Sequence, residues 1–86
     1  MVTSGSVYAL NLSGTLIKDF NSSRIMLTLD NVGTSSVEIA GASPFTWGTG
    51  YTLLGGNTFR CSDYIGSVFV QASGGSVLVA YCEETI

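Results

Sequence analysis

Short apolar alternations separated by glycine-rich turns constrain this chain more than any other feature of its sequence. In segments 24–30, 36–40, 66–72 and 76–82, apolar residues recur at every second position, as on a strand with one face in a core. No window of eleven or more residues keeps a 3.6-residue period free of Gly, Ser and Thr clusters, which argues against helices. The pattern predicts an all-β fold: a small antiparallel β-sandwich or barrel, jelly-roll-like, with about seven or eight short strands.

The turns between these segments place glycine where the backbone can require a positive φ. Polar, glycine-containing stretches at 31–35, 55–57 and 73–75 each separate two apolar runs. Two to five residues is the usual length of a hairpin loop. We therefore expect three hairpins. In the segment 24–30, we expect Ile25, Leu27 and Leu29 to share one face of their strand.

The first twenty residues fit this scheme less closely than the rest. They hold two short apolar pieces broken by Ser13-Gly14, so 1–20 is predicted to be an N-terminal arm or a pair of edge strands. Residues 21–86 are predicted to be the β-sandwich core, and the whole chain a single domain. If 1–20 reaches onto a neighbour, its contacts are Val7, Tyr8 and Leu10.

The segment 41–50 is a long predicted loop that contains Pro44, Phe45 and Trp47. Large aromatic residues in a loop usually fold back to cap a core. The alternative is a contact surface, because Trp and Phe are enriched at the centres of interfaces. Phe45 and Trp47 are therefore the second set of candidate interface residues.

Charged residues make up only 10% of the chain, although 45% of the residues are hydrophobic. An average soluble domain has roughly 25% charged residues, and a surface poor in charge disperses poorly, which suggests a surface covered by other subunits. The net charge is −3, with three cations in all. These cannot form the basic face that nucleic acid or an anionic membrane requires, so neither partner is expected. No signal-peptide core or transmembrane stretch is evident either.

The acid–base residues that most enzymes use are largely missing. The chain has no histidine, which removes the Ser-His-Asp and Cys-His arrangements and the commonest transition-metal ligand. Asp30 and Glu38 flank one predicted hairpin and are expected to be solvated, and Lys18, beside Asp19, is expected to face solvent. We therefore predict no catalytic residues, no metal site and no cofactor.

Two cysteines, Cys61 and Cys82, lie in predicted strands late in the chain. Their separation matches no CxxC redox or zinc pattern. The sequence leaves open whether they form a disulfide or stay as small, buried thiols.

The stretch from Asn21 to Tyr81 resembles a recurrent type of small virion protein of tailed bacteriophages. The resemblance is to a layout: an Asn/Ser-Arg lead into an aliphatic strand, a polar Asn/Gly turn, a short Val/Ile strand, a glycine-rich loop, an aromatic-x-Gly-x-Val strand and a closing hairpin. The matching segments are Asn21-Ser22-Ser23-Arg24-Ile25-Met26-Leu27-Thr28-Leu29, Asp30-Asn31-Val32-Gly33, Val37-Glu38-Ile39, Leu53-Leu54-Gly55-Gly56, Tyr64-Ile65-Gly66-Ser67-Val68-Phe69-Val70 and Ala72-Ser73-Gly74-Gly75-Ser76-Val77-Leu78-Val79.

This resemblance implies a β-sandwich subunit of the virion, assembled in the host cytoplasm. It implies a homo-oligomer, with a trimer expected first, and the major capsid protein or other virion proteins as partners. The leading functional hypothesis is a head-decoration, or cement, protein. The first alternative is a tail, connector or fibre-base subunit. The second is a carbohydrate-binding module, in which Trp47, Tyr51 and Tyr64 would stack on sugar rings.

Overall fold

Eight β-strands make up the regular structure of the described part of the chain. A computed structural model describes residues 1–10, 14–42, 48, 50–62 and 64–86. No helix in these ranges is long and apolar enough to cross a membrane. The strands are β1 (Val2–Leu10), β2 (Thr15–Lys18), β3 (Arg24–Asn31), β4 (Val37–Ala40), β5 (Tyr51–Leu53), β6 (Thr58–Ser62), β7 (Val68–Ala72) and β8 (Ser76–Thr85).

The strands form two four-stranded antiparallel sheets packed face to face. The first sheet has the order β1-β8-β3-β6 and the second the order β2-β7-β4-β5. Strand β1 pairs with β8, β2 with β7, β3 with β6 and β4 with β5. This is the pairing of one long hairpin wrapped into two layers, which defines a jelly roll. The predicted all-β, jelly-roll-like sandwich is confirmed.

The three predicted hairpins are wrong. The strands before and after each of the three turns, β3 and β4, β5 and β6, and β7 and β8, lie in different sheets. Each short glycine turn is therefore a corner where the chain passes from one layer to the other. The glycines still perform the expected local task, since Gly56 and Gly75 have φ of 80° and 65°, in the left-handed region. A turn of this kind fixes a reversal of direction but not the strand that pairs afterwards.

Two of these corners pack against each other. The buried Asn31 side chain donates to the Ser35 carbonyl at 2.8 Å and to the Leu53 carbonyl at 3.0 Å. Gly55 lies directly under the neighbouring corner, because a Cβ at this position would be 2.7 Å from the carbonyl carbon and oxygen of Thr34. The Asn31 amide thus joins the two corners by hydrogen bonds, and the absence of a side chain at Gly55 lets them approach closely.

The core lies between the sheets and follows the predicted alternation with one exception. A register shift between Arg24 and Met26 reverses the faces at the start of β3, so Ile25 is 44% exposed whereas Leu27 and Leu29 are buried. Ile25 therefore does not share the core face, contrary to the prediction. The buried apolar residues are Ala9, Ile17, Leu27, Leu29, Val37, Ile39, Leu53, Val68, Val70, Ala72, Val77 and Val79.

Candidate binding surfaces

A buried ion cluster joins the two sheets at one end of the sandwich. The Arg24 side chain is fully buried, and its Nε donates to Glu83 Oε2 at 2.7 Å. Its remaining nitrogens donate to the backbone carbonyls of Asp19, Tyr64 and Gly66. The guanidinium therefore has protein acceptors on all three nitrogens, which is the condition for burying a charge.

Lys18 completes this cluster. Its Nζ lies 3.4 Å from Glu83 Oε1 and 4.7 Å from the centre of the Tyr81 ring, within range of a cation–π interaction. The expectation that Lys18 faces solvent is wrong, since its side chain is only 19% exposed. Burial alone would raise the pKa of the Glu83 carboxyl, but the hydrogen bond from Arg24 and the charges of Lys18 and Arg24 outweigh it and lower that pKa below its ordinary value.

A second buried carboxylate lies on the outer face of β4. Glu38 is 2% exposed and accepts the backbone N–H of Gly48 at 2.8 Å and 2.9 Å and that of Gly50 at 3.3 Å. The expectation that Glu38 is solvated is therefore wrong. Its cross-strand neighbour is Gln71, whose buried Nε2 has no hydrogen-bond partner among the described residues.

An apolar cleft of about 230 Å³ opens where the edges of β5 and β6 approach each other. Two exposed aromatic rings form part of its wall, because Tyr51 is 59% and Tyr64 39% exposed. Tyr51 also packs on Phe59, with the ring centroids 4.9 Å apart. The remaining lining residues are Ile39, Ala40, Gly41, Cys61 and Val68.

Two glycines make room for the tyrosine at the rim of this cleft. A Cβ on Gly41 would lie 2.8 Å from the hydroxyl oxygen of Tyr64, and a Cβ on Gly66 would contact the same hydroxyl even more closely. The hydroxyl also donates to the carbonyl of Ser67 at 3.0 Å. Tyr64 therefore lies flat across backbone instead of projecting freely, which fixes one wall of the cleft.

The first set of predicted contact residues lies on β1, at the edge of the first sheet. Tyr8 and Leu10 are 58% and 47% exposed on the outer face, whereas Val7 faces inward and packs against the core. The second set, Phe45 and Trp47, lies outside the described residues. Whether any of these residues contacts another subunit stays a prediction.

The two cysteines are free thiols. Cys61 lies on β6 opposite the buried Leu27, and Cys82 lies on β8 opposite Thr28. Since Leu27 and Thr28 are consecutive, the two thiols are on opposite faces of the same sheet. They are also two strands apart, roughly 9.5 Å, whereas a disulfide needs Cα atoms within about 7 Å. The fold therefore excludes the disulfide that the sequence left open.

Two of these features, the ion cluster and the cleft, could not be predicted from local sequence patterns. Arg24 and Glu83 are separated by 59 residues, and a pairing over that distance leaves no local pattern. Phe59 and Cys61 follow the period of a strand, and only the packing of the two sheets brings them beside Tyr51 and Tyr64. Of the three aromatic residues predicted to stack on sugar, Tyr51 and Tyr64 line one cleft, and Trp47 lies outside the described residues.

The two packed sheets form a small jelly-roll sandwich. Solved structures with a similar fold include the following two. The chain superposes on the stem and receptor-binding domain of the spike protein P1 from bacteriophage PM2 with a TM-score of 0.63 and 19% identity, covering 86% of this chain and 29% of that one. It superposes on a structure of Bacillus endospore appendages, a family of disulfide-linked pili, with a TM-score of 0.53 and 14% identity, covering 100% and 89%.

At these identities the likeness establishes the fold alone. The chain spans less than one third of the length of the PM2 spike protein chain. No protein-family model and no curated protein sequence matches it. The resemblance to head-decoration proteins therefore stays a prediction, although one protein that shares the fold does come from a bacteriophage.

Proposed function

We propose that this chain is a non-enzymatic structural subunit on the outside of a virion. Its role is to pack against other copies of itself and against neighbouring virion proteins. One observation carries the proposal: four of the nine charged side chains are buried or largely buried, whereas many large apolar side chains are exposed. A surface of this kind is suited to being covered.

The distribution of charge supports this directly. Of three basic and six acidic residues, four have buried or largely buried side chains: Lys18, Arg24, Glu38 and Glu83. Thirteen large hydrophobic side chains of the described residues are exposed, from Val2 and Tyr8 on β1 to Leu54 and Ile65 in the connections. Single exposed apolar residues are ordinary, but here little charge remains between them to keep the molecules apart.

Two placements on the virion fit such a subunit. In the first, many copies decorate the head and stabilise the shell by multivalent contact. In the second, the subunit belongs to a tail, connector, fibre base or spike. The fold is shared with a phage spike domain and with a pilus-like appendage, which are both projecting structures, and this gives the second placement support of its own.

The experiment is to locate and count the chain in purified particles. Quantitative mass spectrometry gives the copy number, and antibody labelling in electron micrographs gives the position. Hundreds of copies per particle over the head support decoration, and a dozen or fewer at one vertex or along the tail support the projecting placement. Absence of the chain from particles that carry every other virion protein would refute the structural role.

A second candidate function is sugar binding at the Tyr51–Tyr64 cleft. Its specific support is the presence of two exposed aromatic rings on one concave surface, because such rings stack on the apolar faces of sugars. The test is a glycan array with the wild type and with Tyr51→Ala. Tyr8→Ala is the matched control, since Tyr8 is equally exposed but lies outside the cleft. No binding by the wild type, or equal losses in the two variants, would remove this function.

A further inference from the structure

Among the four sheet edges that the described strands form, that of β1 alone has none of the features that normally prevent strand pairing between molecules. Strand β5 has three residues, β2 four and β6 five. In addition, β2 contains a register shift and Lys18, and β6 carries the exposed Arg60. Short length, irregularity and charge are the usual protections of an edge. Strand β1 has nine residues with no charge and no proline, and it pairs with β8 without a shift.

The hydrogen bonds at the end of β1 show which of its backbone groups point outward. Met1 N donates to Thr85 O at 3.0 Å, and Thr85 N donates to Met1 O at 2.9 Å. In an antiparallel ladder such doubly bonded pairs alternate with pairs whose groups point away. The odd-numbered residues of β1 therefore bond to β8. The residues whose N–H and C=O groups point away from β8 are Val2, Ser4, Ser6, Tyr8 and Leu10.

We propose that the outer edge of β1 pairs antiparallel with β1 of a second copy, about a two-fold axis at Ser6. This register uses the whole strand. It places Val2 opposite Leu10 of the second copy, Ser4 opposite Tyr8, and Ser6 opposite itself. All of these residues have outward-pointing backbone groups, so the pairing forms about ten new hydrogen bonds. It joins the two first sheets into one continuous eight-stranded sheet.

The side chains of β1 favour a second copy as the occupant of this edge. Val2, Tyr8 and Leu10 are 65%, 58% and 47% exposed on the outer face. In the proposed register, each Leu10 packs beside the partner's Val2. A two-fold pairing brings a charge near the axis close to its own copy, which is unfavourable for like charges. Strand β1 carries no charge and meets this requirement, whereas β6, with Arg60 at its centre, does not.

The inference rests on the proposed structural role, and it names the surface through which two copies of the subunit associate. The closing experiment is separate from the particle count. If the chain is found in particles but does not pair through β1, the interface fails and the structural role stands. If the chain pairs through β1 but is absent from particles, the reverse holds.

The first test measures the mass of the full 86-residue chain by light scattering over a range of concentrations. The wild type is expected to show a concentration-dependent dimer. Ser6→Lys, which places two like charges opposite each other, is expected to weaken dimerisation at least tenfold. Ser62→Lys is the matched control, because Ser62 is an exposed serine on the opposite edge strand of the same sheet. Thermal unfolding establishes that each variant is folded. A monomeric wild type, or equal effects of the two lysines, overturns the proposal.

The second test fixes the register by cross-linking. In a Cys61→Ser, Cys82→Ser background, Ser6→Cys is expected to form a disulfide-linked dimer under mild oxidation, because residue 6 faces its own copy. Ser4→Cys is expected to remain uncrosslinked, since the two copies of Ser4 would be four residues apart along the strands, about 13 Å. Failure of Ser6→Cys to cross-link, or equally fast cross-linking of Ser4→Cys, overturns the proposed register.

Discussion

Replacing Arg24 by Met is the most informative perturbation of this fold. The guanidinium is fully buried, donates to Glu83 at 2.7 Å and reaches three backbone carbonyls. Met has a similar length but provides no donor and no charge. The variant therefore leaves the Glu83 carboxylate inside the sandwich with Lys18 as its remaining cation, at 3.4 Å, and leaves the carbonyls without their donor.

The expected loss of stability is large for a chain of this size. Removing one partner of a buried ion pair costs about 3–5 kcal/mol, because the other charge stays buried. A chain of 86 residues has about 4–13 kcal/mol of unfolding free energy in all. Even the lower cost corresponds to a fall in Tm of about 12 °C or more. Arg60→Met is the matched control, because Arg60 is exposed, and a change within about 0.5 kcal/mol is expected there.

The assay is urea denaturation of both proteins across pH, with Glu83→Gln variants as references. In the wild type the pKa of Glu83 is lowered, so its contribution to stability is complete above the unfolded pKa of about 4.5 and is lost as the pH falls through the folded value. Because burial is the largest single influence on this pKa, we expect burial to prevail over Lys18 once Arg24 is removed and to raise the folded pKa. We then expect the opposite sign: relative to Arg24→Met, Glu83→Gln, the single variant gains stability as the pH falls from 7 towards 4.5.

Two results would refute this reasoning. The first is a loss below about 1 kcal/mol for Arg24→Met, which would mean that the cluster is hydrated and weak. The second is an unchanged sign of the pH dependence, which would mean that Lys18 alone compensates the carboxylate. A double variant Arg24→Met, Glu83→Gln that is more stable than the single variant at pH 7 would confirm that the uncompensated charge carries the cost.

Three further outcomes are expected. Gly55→Ala should lose about 1–3 kcal/mol in chemical denaturation because its Cβ meets a backbone carbonyl group, whereas Gly74→Ala, with open space around the Cβ, should change stability by less than about 0.5 kcal/mol. Asn31→Ala should lose about 2–3 kcal/mol, since one buried and one partly buried carbonyl group lose their donor; a loss no larger than that for Gly74→Ala would contradict the role of Asn31 in joining the two corners. When the folded protein is mildly oxidised and then unfolded, thiol titration of the monomer should still detect both Cys61 and Cys82. An intrachain disulfide formed in the folded protein would contradict the assignment of the two thiols to opposite faces of the sheet.

The class of the fold was predictable because a period of two is a local property of each strand. The strand with which it pairs, in contrast, is not a local property of its sequence. The turns at 31–35, 55–57 and 73–75 read as hairpins, yet each joins two sheets, because the same glycine geometry serves a hairpin and a corner. The predicted face of Ile25 was also wrong, because the register shift between Arg24 and Met26 inverts the alternation. Strand positions could therefore be predicted from the sequence, whereas connectivity and the long-range ion cluster could not.

The ion cluster and the open edge are mechanically connected. Glu83 lies on β8 opposite Thr3 of β1, and Arg24 and Lys18 hold that carboxylate in place. Residues 2–6 of β1 are all exposed, so the order of this half of the strand depends on its pairing with β8 more than on the core. An edge strand that rests on a fixed neighbour is already in the conformation that a second strand requires, and less entropy is lost on pairing. The cluster of Lys18, Arg24 and Glu83 thus stabilises β8, and β8 in turn supports the uncharged edge strand β1.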